Sequence, residues 1–241
     1  MRIAVVSDIH GNFPALQAVL ADISAYGADL TVNLGDLVSG PVAPAETMAL
    51  LRETGLPTLS GNHERSLATH AAVELAPVDQ FVRARLSDDD LAWMAELPKT
   101  AVVADEVFLC HGTPRDDNKP WLDAWFDDKR CIRLPDEAAV TVEAEGFDHP
   151  VLLCGHTHVP RAVRLRDGRL IVNPGSVGLQ MHYGSPDARY AVIERTGHNW
   201  TATFRAVPYD HDGAAATAAA NGFPRWAAAL AAGWQDARGL F

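Results

Sequence analysis

Val151-Leu152-Leu153-Cys154-Gly155-His156-Thr157-His158 is an apolar run that stops at a glycine and is followed by two imidazoles. A continuous apolar run of about four residues is the pattern of a strand buried on both faces, and open α/β folds hold their ligands where such strands end. The two histidines therefore stand at the C-terminal edge of a sheet, where they either ligate a metal or are solvated in a polar turn. The rest of the chain decides between these readings.

Working outward, the N-terminal residues 2–7 form a β-branched apolar run that ends at Asp8-Ile9-His10-Gly11-Asn12. Pro14 opens a helix with Leu16, Val19, Leu20 and Ile23 at helical spacing, and Gly27 is its stop. The pattern repeats at Leu30 to Leu34, which ends in Gly35-Asp36 and leads to a helix near Pro44. A third short strand over 57–59 ends in Ser60-Gly61-Asn62-His63-Glu64. Such β-loop-α repetition implies a parallel sheet with right-handed crossovers and its strand ends along one edge.

Residues 64–97 read as helical, with Ser87-Asp88-Asp89-Asp90 as an N-cap rather than a metal site. Strands over 101–104 and 107–110 flank a tight turn, and the second ends in His111-Gly112-Thr113-Pro114-Arg115. Helices are expected over 121–130 and 135–146. Strands over 159–165, 170–172, 191–194 and 201–207 are expected to form a second sheet, and the Ala-rich stretch 214–232 one or two outer helices.

The composition is that of a folded chain in water: 241 residues, 48% hydrophobic and 21% charged. One large domain over 1–241 is expected, with an inserted helical cap at about 64–97 and a helical tail at about 212–241. The net charge of −11 argues against non-specific duplex nucleic acid, so any affinity for phosphate must be local and made by metal ions. Cys110, Cys131 and Cys154 are too few and odd in number for a disulfide framework, and Cys110 and Cys154 read as small buried hydrophobes. The N-terminal apolar run is too short for a signal segment and no membrane span occurs, so a cytoplasmic location is expected.

The polar residues that follow strands are Asp8, His10, Asp36, Asn62, His63, His111, His156 and His158, which include five of the ten histidines. Carboxylate, imidazole and amide oxygen without thiolate suit borderline to hard divalent ions. One ion cannot use this many ligands and still leave a position for substrate, so two ions are expected, with a carboxylate able to bridge them.

These blocks resemble those of the calcineurin-like metallophosphoesterases, in family order: Asp8-x-His10, Gly35-Asp36, Gly61-Asn62-His63-Glu64, His111 and Gly155-His156-x-His158. Asn173-Pro174-Gly175-Ser176-Val177-Gly178 also resembles a run of the small bacterial phosphodiesterase-type members, and the likeness covers roughly residues 1–200. The resemblance implies an α/β fold, a four-layer α-β-β-α sandwich of two facing mixed β-sheets with helices on both outer faces. It also implies one metal held by Asp8, His10, Asp36 and His158 and another by Asp36, Asn62, His111 and His156, with Asp36 bridging. His63 matches the family's non-ligating histidine, a general acid or an electrostatic partner of the phosphate. Glu64 stands where many members have Asp, and would orient His63 or the ligands. The implied cofactors are two divalent metal ions per chain, Mn²⁺ first and Fe, Zn, Ni or Mg otherwise. The implied reaction is phosphodiester or phosphomonoester hydrolysis by in-line attack of a hydroxide shared between the metals.

Asn12, Arg115 and His182 are candidate contacts to a small phosphorylated or nucleotide substrate, and Trp121 and Trp125 either stack a base or form one helix's packing face. The narrower alternative is symmetrical hydrolysis of a dinucleoside polyphosphate such as diadenosine tetraphosphate. The alternative of another class is a metal-binding protein-interaction scaffold, as the retromer subunit of this fold is. The Ala-rich tail offers a packing surface on which a homo-oligomer could form.

Overall fold

The computed structural model describes residues 1–125, 132–181, 184–234 and 240. Strand β1 (Arg2–Val6) leads to α1 (Phe13–Tyr26), which begins where the Asn12 side chain accepts the Ala15 N–H and stops at Gly27, in the left-handed conformation at φ 78°. Strand β2 (Leu30–Asn33) and α2 (Pro44–Thr54) repeat the unit, whereas the strand expected over 57–59 is a single bridge from Thr58 to Asn33. The helical segment carries α3 (Asn62–Thr69), α4 (Pro77–Arg83) and α5 (Asp88–Ala95). Ser87 and Asp90 close the start of α5 with reciprocal hydrogen bonds, so the acidic triplet is a cap.

Strands β3 (Ala101–Val103) and β4 (Val107–Leu109) form a hairpin in which Ala104 and Asp105 take φ of 51° and 58°. Strand β5 (Ala124–Trp125) pairs with β6 (Ile132–Arg133). The helix expected over 121–130 is therefore absent where those residues are described, and 126–131 lie outside the described residues. Trp121 is drawn instead into the core beneath α6 (Glu137–Glu143), where its Nε1 donates to the Val140 carbonyl. The chain closes with β7 (Val151–Leu153), β8 (Arg161–Arg164), β9 (Leu170–Asn173), β10 (Ala188–Thr196), β11 (Asn199–Val207), α7 (His211–Ala220) and α8 (Pro224–Ala232).

Two mixed sheets result, in the orders β11-β10-β1-β2 and β3-β4-β7-β9-β8. β1 and β2 are parallel, as are β4, β7 and β9, while β10, β11, β3 and β8 join antiparallel. Strands after residue 159 do not make a sheet of their own. β8 and β9 extend the sheet of β7, and β10 and β11 return to β1.

Side-chain alternation stacks the layers. Ile3 and Val5 share a core with Val107, Leu109, Val151, Leu153 and Val172, so the two sheets face one another. Ala4 and Val6 face the core of α1 and α2, and Phe108, Leu152 and Ile171 face that of α6. The fold is the expected four-layer α/β sandwich, and the loops at the C-terminal ends of β1, β2, β4 and β7 meet at one edge of it.

Candidate metal centre

The loops after β1 and β2 run side by side. Backbone N–H groups of Asp8, Ile9, His10 and Gly11 donate to the carbonyls of Gly35, Asp36, Asp36 and Leu37 at 2.8–3.1 Å. The 173–178 run braces the first loop from the other side: Ser176 Oγ donates to the Asp8 carbonyl at 2.7 Å, and the Val177 and Gly178 N–H groups donate to Ser7 and Asp8. Asn173 Nδ2 holds the 155–158 loop through the Gly155 carbonyl (2.7 Å) and Thr157 Oγ1 (3.0 Å). Thr157 in turn donates to the buried Asp123.

The Asp8 and Asp36 carboxylates are each held by one oxygen and offer the other. Asp8 Oδ2 accepts the His156 N–H at 3.1 Å, leaving Oδ1, which has no hydrogen-bond partner, 3.3 Å from His158 Nε2. Asp36 Oδ1 accepts the His63 N–H at 3.1 Å, and its Oδ2 stands 3.2 Å from His111 Nε2. The histidines are set the same way. Nδ1 of His10, His111 and His158 lies 2.8–2.9 Å from the carbonyls of Ser39, Leu34 and Leu179, which fixes a proton on each Nδ1 and aims each Nε2 inward.

His10 Nε2 and His158 Nε2 are then 3.0 Å apart beside Asp8 Oδ1, and Asn62 Oδ1 lies 3.1 Å from His111 Nε2 and 2.9 Å from His156 Nδ1. Nitrogen lone pairs and oxygens that converge in a buried place require positive charge among them, supplied either by an added proton or by a cation. Ligand atoms of Asp8, His10 and His158, and of Asp36, His111 and His156, form two groups, each within 4.8 Å, a donor set suited to divalent metal ions. His156 and His158 fall in different groups, so the opening Gly-His-Thr-His stretch straddles the two.

Without cations the site is electrostatically divided. Burial would raise the Asp8 carboxyl, but the His158 and His111 imidazoles outweigh it and hold it near 2. Burial and the neighbouring His158 push His10 down to about 4, and burial with His111 does the same to His156. His111 goes the other way, to about 10, because the Asp36 carboxylate overcomes the burial that opposes it.

His63 lies at the start of α3 with its side chain 23% exposed, and its Nδ1 is 3.2 Å from Oδ1 of Asp79, a buried residue of α4. Without cations, burial disfavours its charge, but Asp36 and Asp79 raise it to about 9. Nothing in the sequence marked Asp79, which sits in the first turn of a short helix and reads as a dipole-favouring carboxylate. Glu64 holds the backbone around Asp36 and Gly61: it is fully buried and accepts the N–H groups of Asp36, Leu37 and Gly61 at 2.8–2.9 Å. Burial and Asp36 push its carboxyl up to about 7 against those donors.

The three candidate substrate contacts fare differently. Asn12 is fully buried and spends its amide on Gly178 O, Tyr209 Oη and the Ala15 N–H, so it holds loops together and is not placed to touch substrate. Arg115 donates to the carbonyls of Glu143 and Glu145 at the end of α6 and covers the Phe147 ring, yet it also lines a cavity beside His111. His182 lies outside the described residues, as does the side chain of Trp125, while Trp121 is core.

The model of the calcineurin-like phosphoesterase superfamily domain matches residues 1–197, and the chain belongs to that family. It is 27% identical to a metallophosphoesterase from Sphaerobacter thermophilus whose crystal structure superposes with a TM-score of 0.79, over 97% of this chain and 99% of that one. It is also 25% identical to the uncharacterized protein MJ0912 of Methanocaldococcus jannaschii, over 93% of this chain and 94% of that protein. Among the described residues no helix is long and apolar enough to cross a membrane.

Proposed function

We propose that this chain is a metal-dependent phosphoesterase that hydrolyses a small phosphorylated or nucleotide substrate. Asp8, His10 and His158 would hold one divalent cation, His111, His156 and Asn62 the other, and Asp36 would reach both, with Mn²⁺ the first choice. The observation that carries this reading is the pair of inward-facing nitrogens of His10 and His158, 3.0 Å apart beside the unpartnered Asp8 Oδ1. When bound, such a pair of cations acidifies water and neutralises the charge of a phosphate.

The chain's own groups supply the rest. Asp79 takes Nδ1 of His63, which leaves the protonated Nε2 to donate to the leaving oxygen as the P–O bond breaks. Glu64 fixes the backbone of Asp36 and Gly61 from behind, keeping the carboxylate aimed without using any of its oxygens. A pure scaffold of this fold would need neither a His63 paired with a buried carboxylate nor this set of inward lone pairs.

Protein loaded with Mn²⁺ is expected to hydrolyse bis(p-nitrophenyl) phosphate, and chelator-treated protein is not. His63→Ala is expected to keep its metal while turnover falls by about 10²–10⁴-fold. Undiminished turnover in His63→Ala would remove the general acid from the scheme. Metal-loaded protein that cleaves no phosphoester would favour the scaffold.

A further inference from the structure

We propose that the cavity beside His111 is a second phosphate site, which seats a phosphate of the substrate other than the one that reacts. This deepens the phosphoesterase reading and rests on it for the identity of the substrate. The cavity has a volume of about 290 Å³, near the lower end of the ~300–1,000 Å³ common for small-molecule sites, so it suits one compact group rather than a whole nucleotide. Its lining is mostly polar and includes no Phe, Tyr or Trp, which disfavours a nucleobase.

Arg65, Lys99 and Arg115 line it against Asp116 and Asp117, a local excess of positive charge in a chain of net charge −11. The two guanidinium groups are each held by two hydrogen bonds. Arg65 is gripped by both oxygens of Asp117 at 2.7 Å, and Arg115 by the carbonyls of Glu143 and Glu145. Each of those grips uses two of the five N–H donors of an arginine, leaving three for an oxyanion. The exposed Lys99 has no hydrogen-bond or ion-pair partner among the described residues, so its ammonium is free to close on a ligand.

Position ties the cavity to the centre. His111 belongs to both, and Arg65 follows Asn62 by three residues on α3, which puts them on one helix face. A substrate with its reacting phosphate at the cations and a further phosphate along the chain would span the two. The substrate class is therefore a phosphoanhydride or another compound with a second phosphate.

The test has two arms, both using Lys99→Glu and the milder Lys99→Ala at an exposed position. In the first, calorimetry on metal-free full-length protein uses methylenediphosphonate as probe, and the dependence of binding on Lys99 assigns it to the cavity rather than to the histidines of the centre. Binding that weakens tenfold or more in Lys99→Glu, and less in Lys99→Ala, is expected. No binding, or equal binding in the variants, overturns the proposal. In the second, metal-loaded protein is compared on diadenosine tetraphosphate and bis(p-nitrophenyl) phosphate. The kcat/KM ratio of the first to the second is expected to fall tenfold or more in Lys99→Glu, and an unchanged ratio overturns the proposal. If wild-type protein hydrolyses neither compound, the phosphoesterase reading fails, and calorimetry alone decides the cavity.

Discussion

Asp8, His10, Asp36, His156 and His158 all hold φ between 49° and 68°, and among the described residues they are five of the seven non-glycine residues with positive φ. A left-handed backbone costs a residue with a Cβ roughly 1–2 kcal/mol, so these loops persist because the neighbouring run of 173–178 and the Glu64 carboxylate hold them. The candidate ligands were legible in the sequence because acids and histidines followed successive apolar runs. Their conformation was not, because Asp and His carry no signature of it, and Asp79 was not, because its partner His63 lies across an irregular link 16 residues away. Glycine in these blocks serves close approach as well as turning. A Cβ on Gly61 would lie 2.2 Å from Asp36 Oδ1 and 2.7 Å from its backbone nitrogen, and Glu64 prevents Asp36 from retreating. Gly61→Ala is therefore expected to lose bound metal more than stability. Metal content after gel filtration, read beside thermal unfolding in chelator, checks this. Retention of the full metal complement would show that the Asp36 loop yields.

Elements whose partners are local were readable, and those whose partners are remote were not. The caps of α1 and α5 and the β3–β4 turn follow from neighbouring residues, whereas β10 and β11 alternate in a way that fits either sheet and sit on the first only because β1 offers its free edge. The Trp121–Trp125 spacing suggested a helix, but burial of Trp121 beneath α6 outweighs that local pattern. A single acid clamps the returning strands. Asp22 of α1 accepts from Tyr190 Oη of β10 at 2.7 Å and from Arg205 Nε and Nη2 of β11 at 2.8 and 3.0 Å. Asp22→Ala would leave the Tyr190 hydroxyl, on a fully buried residue, without that acceptor, at a cost of about 1–3 kcal/mol. The Arg205 bond holds the Asp22 carboxyl below its ordinary value. The ionic stabilisation is then present above the unfolded carboxyl value of about 3.9 and is lost as pH falls through the lower folded value. Urea unfolding of both proteins from pH 7 to pH 3 should show their difference closing at the acid end. A difference constant to pH 3 would mean that the clamp owes nothing to charge.

At the scale of the molecule, the C-terminal helices join a distant surface to the centre. Residues 198–241 follow the stretch matched by the family model, and an outer position is the natural reading of an Ala-rich tail. Yet α7 and α8 pack with Val42, Val78 and Leu179 into a core of their own, and Asn221 Nδ2 donates to the Pro41 carbonyl at 2.8 Å. This core adjoins the ligands on two sides: the Leu179 carbonyl takes Nδ1 of His158, and the buried Trp226 of α8 meets the His10 ring edge-on at 5.9 Å. Both histidines belong to the group that includes Asp8, and neither contact reaches the group of Asp36, His111 and His156. Trp226→Ala should therefore act unequally. Emptying the indole's volume is expected to cost about 3–5 kcal/mol of stability, the range for buried Trp or Phe truncation. One of the two metal equivalents should be lost first, because His10 loses the ring that packs against it. Chelator titration of the metal-loaded variant, followed by the metal remaining per chain, would show one equivalent leaving well before the other. Wild-type protein should show a smaller gap between them. Simultaneous loss at the same chelator concentration as wild type would mean that the tail stabilises the fold without shaping the centre.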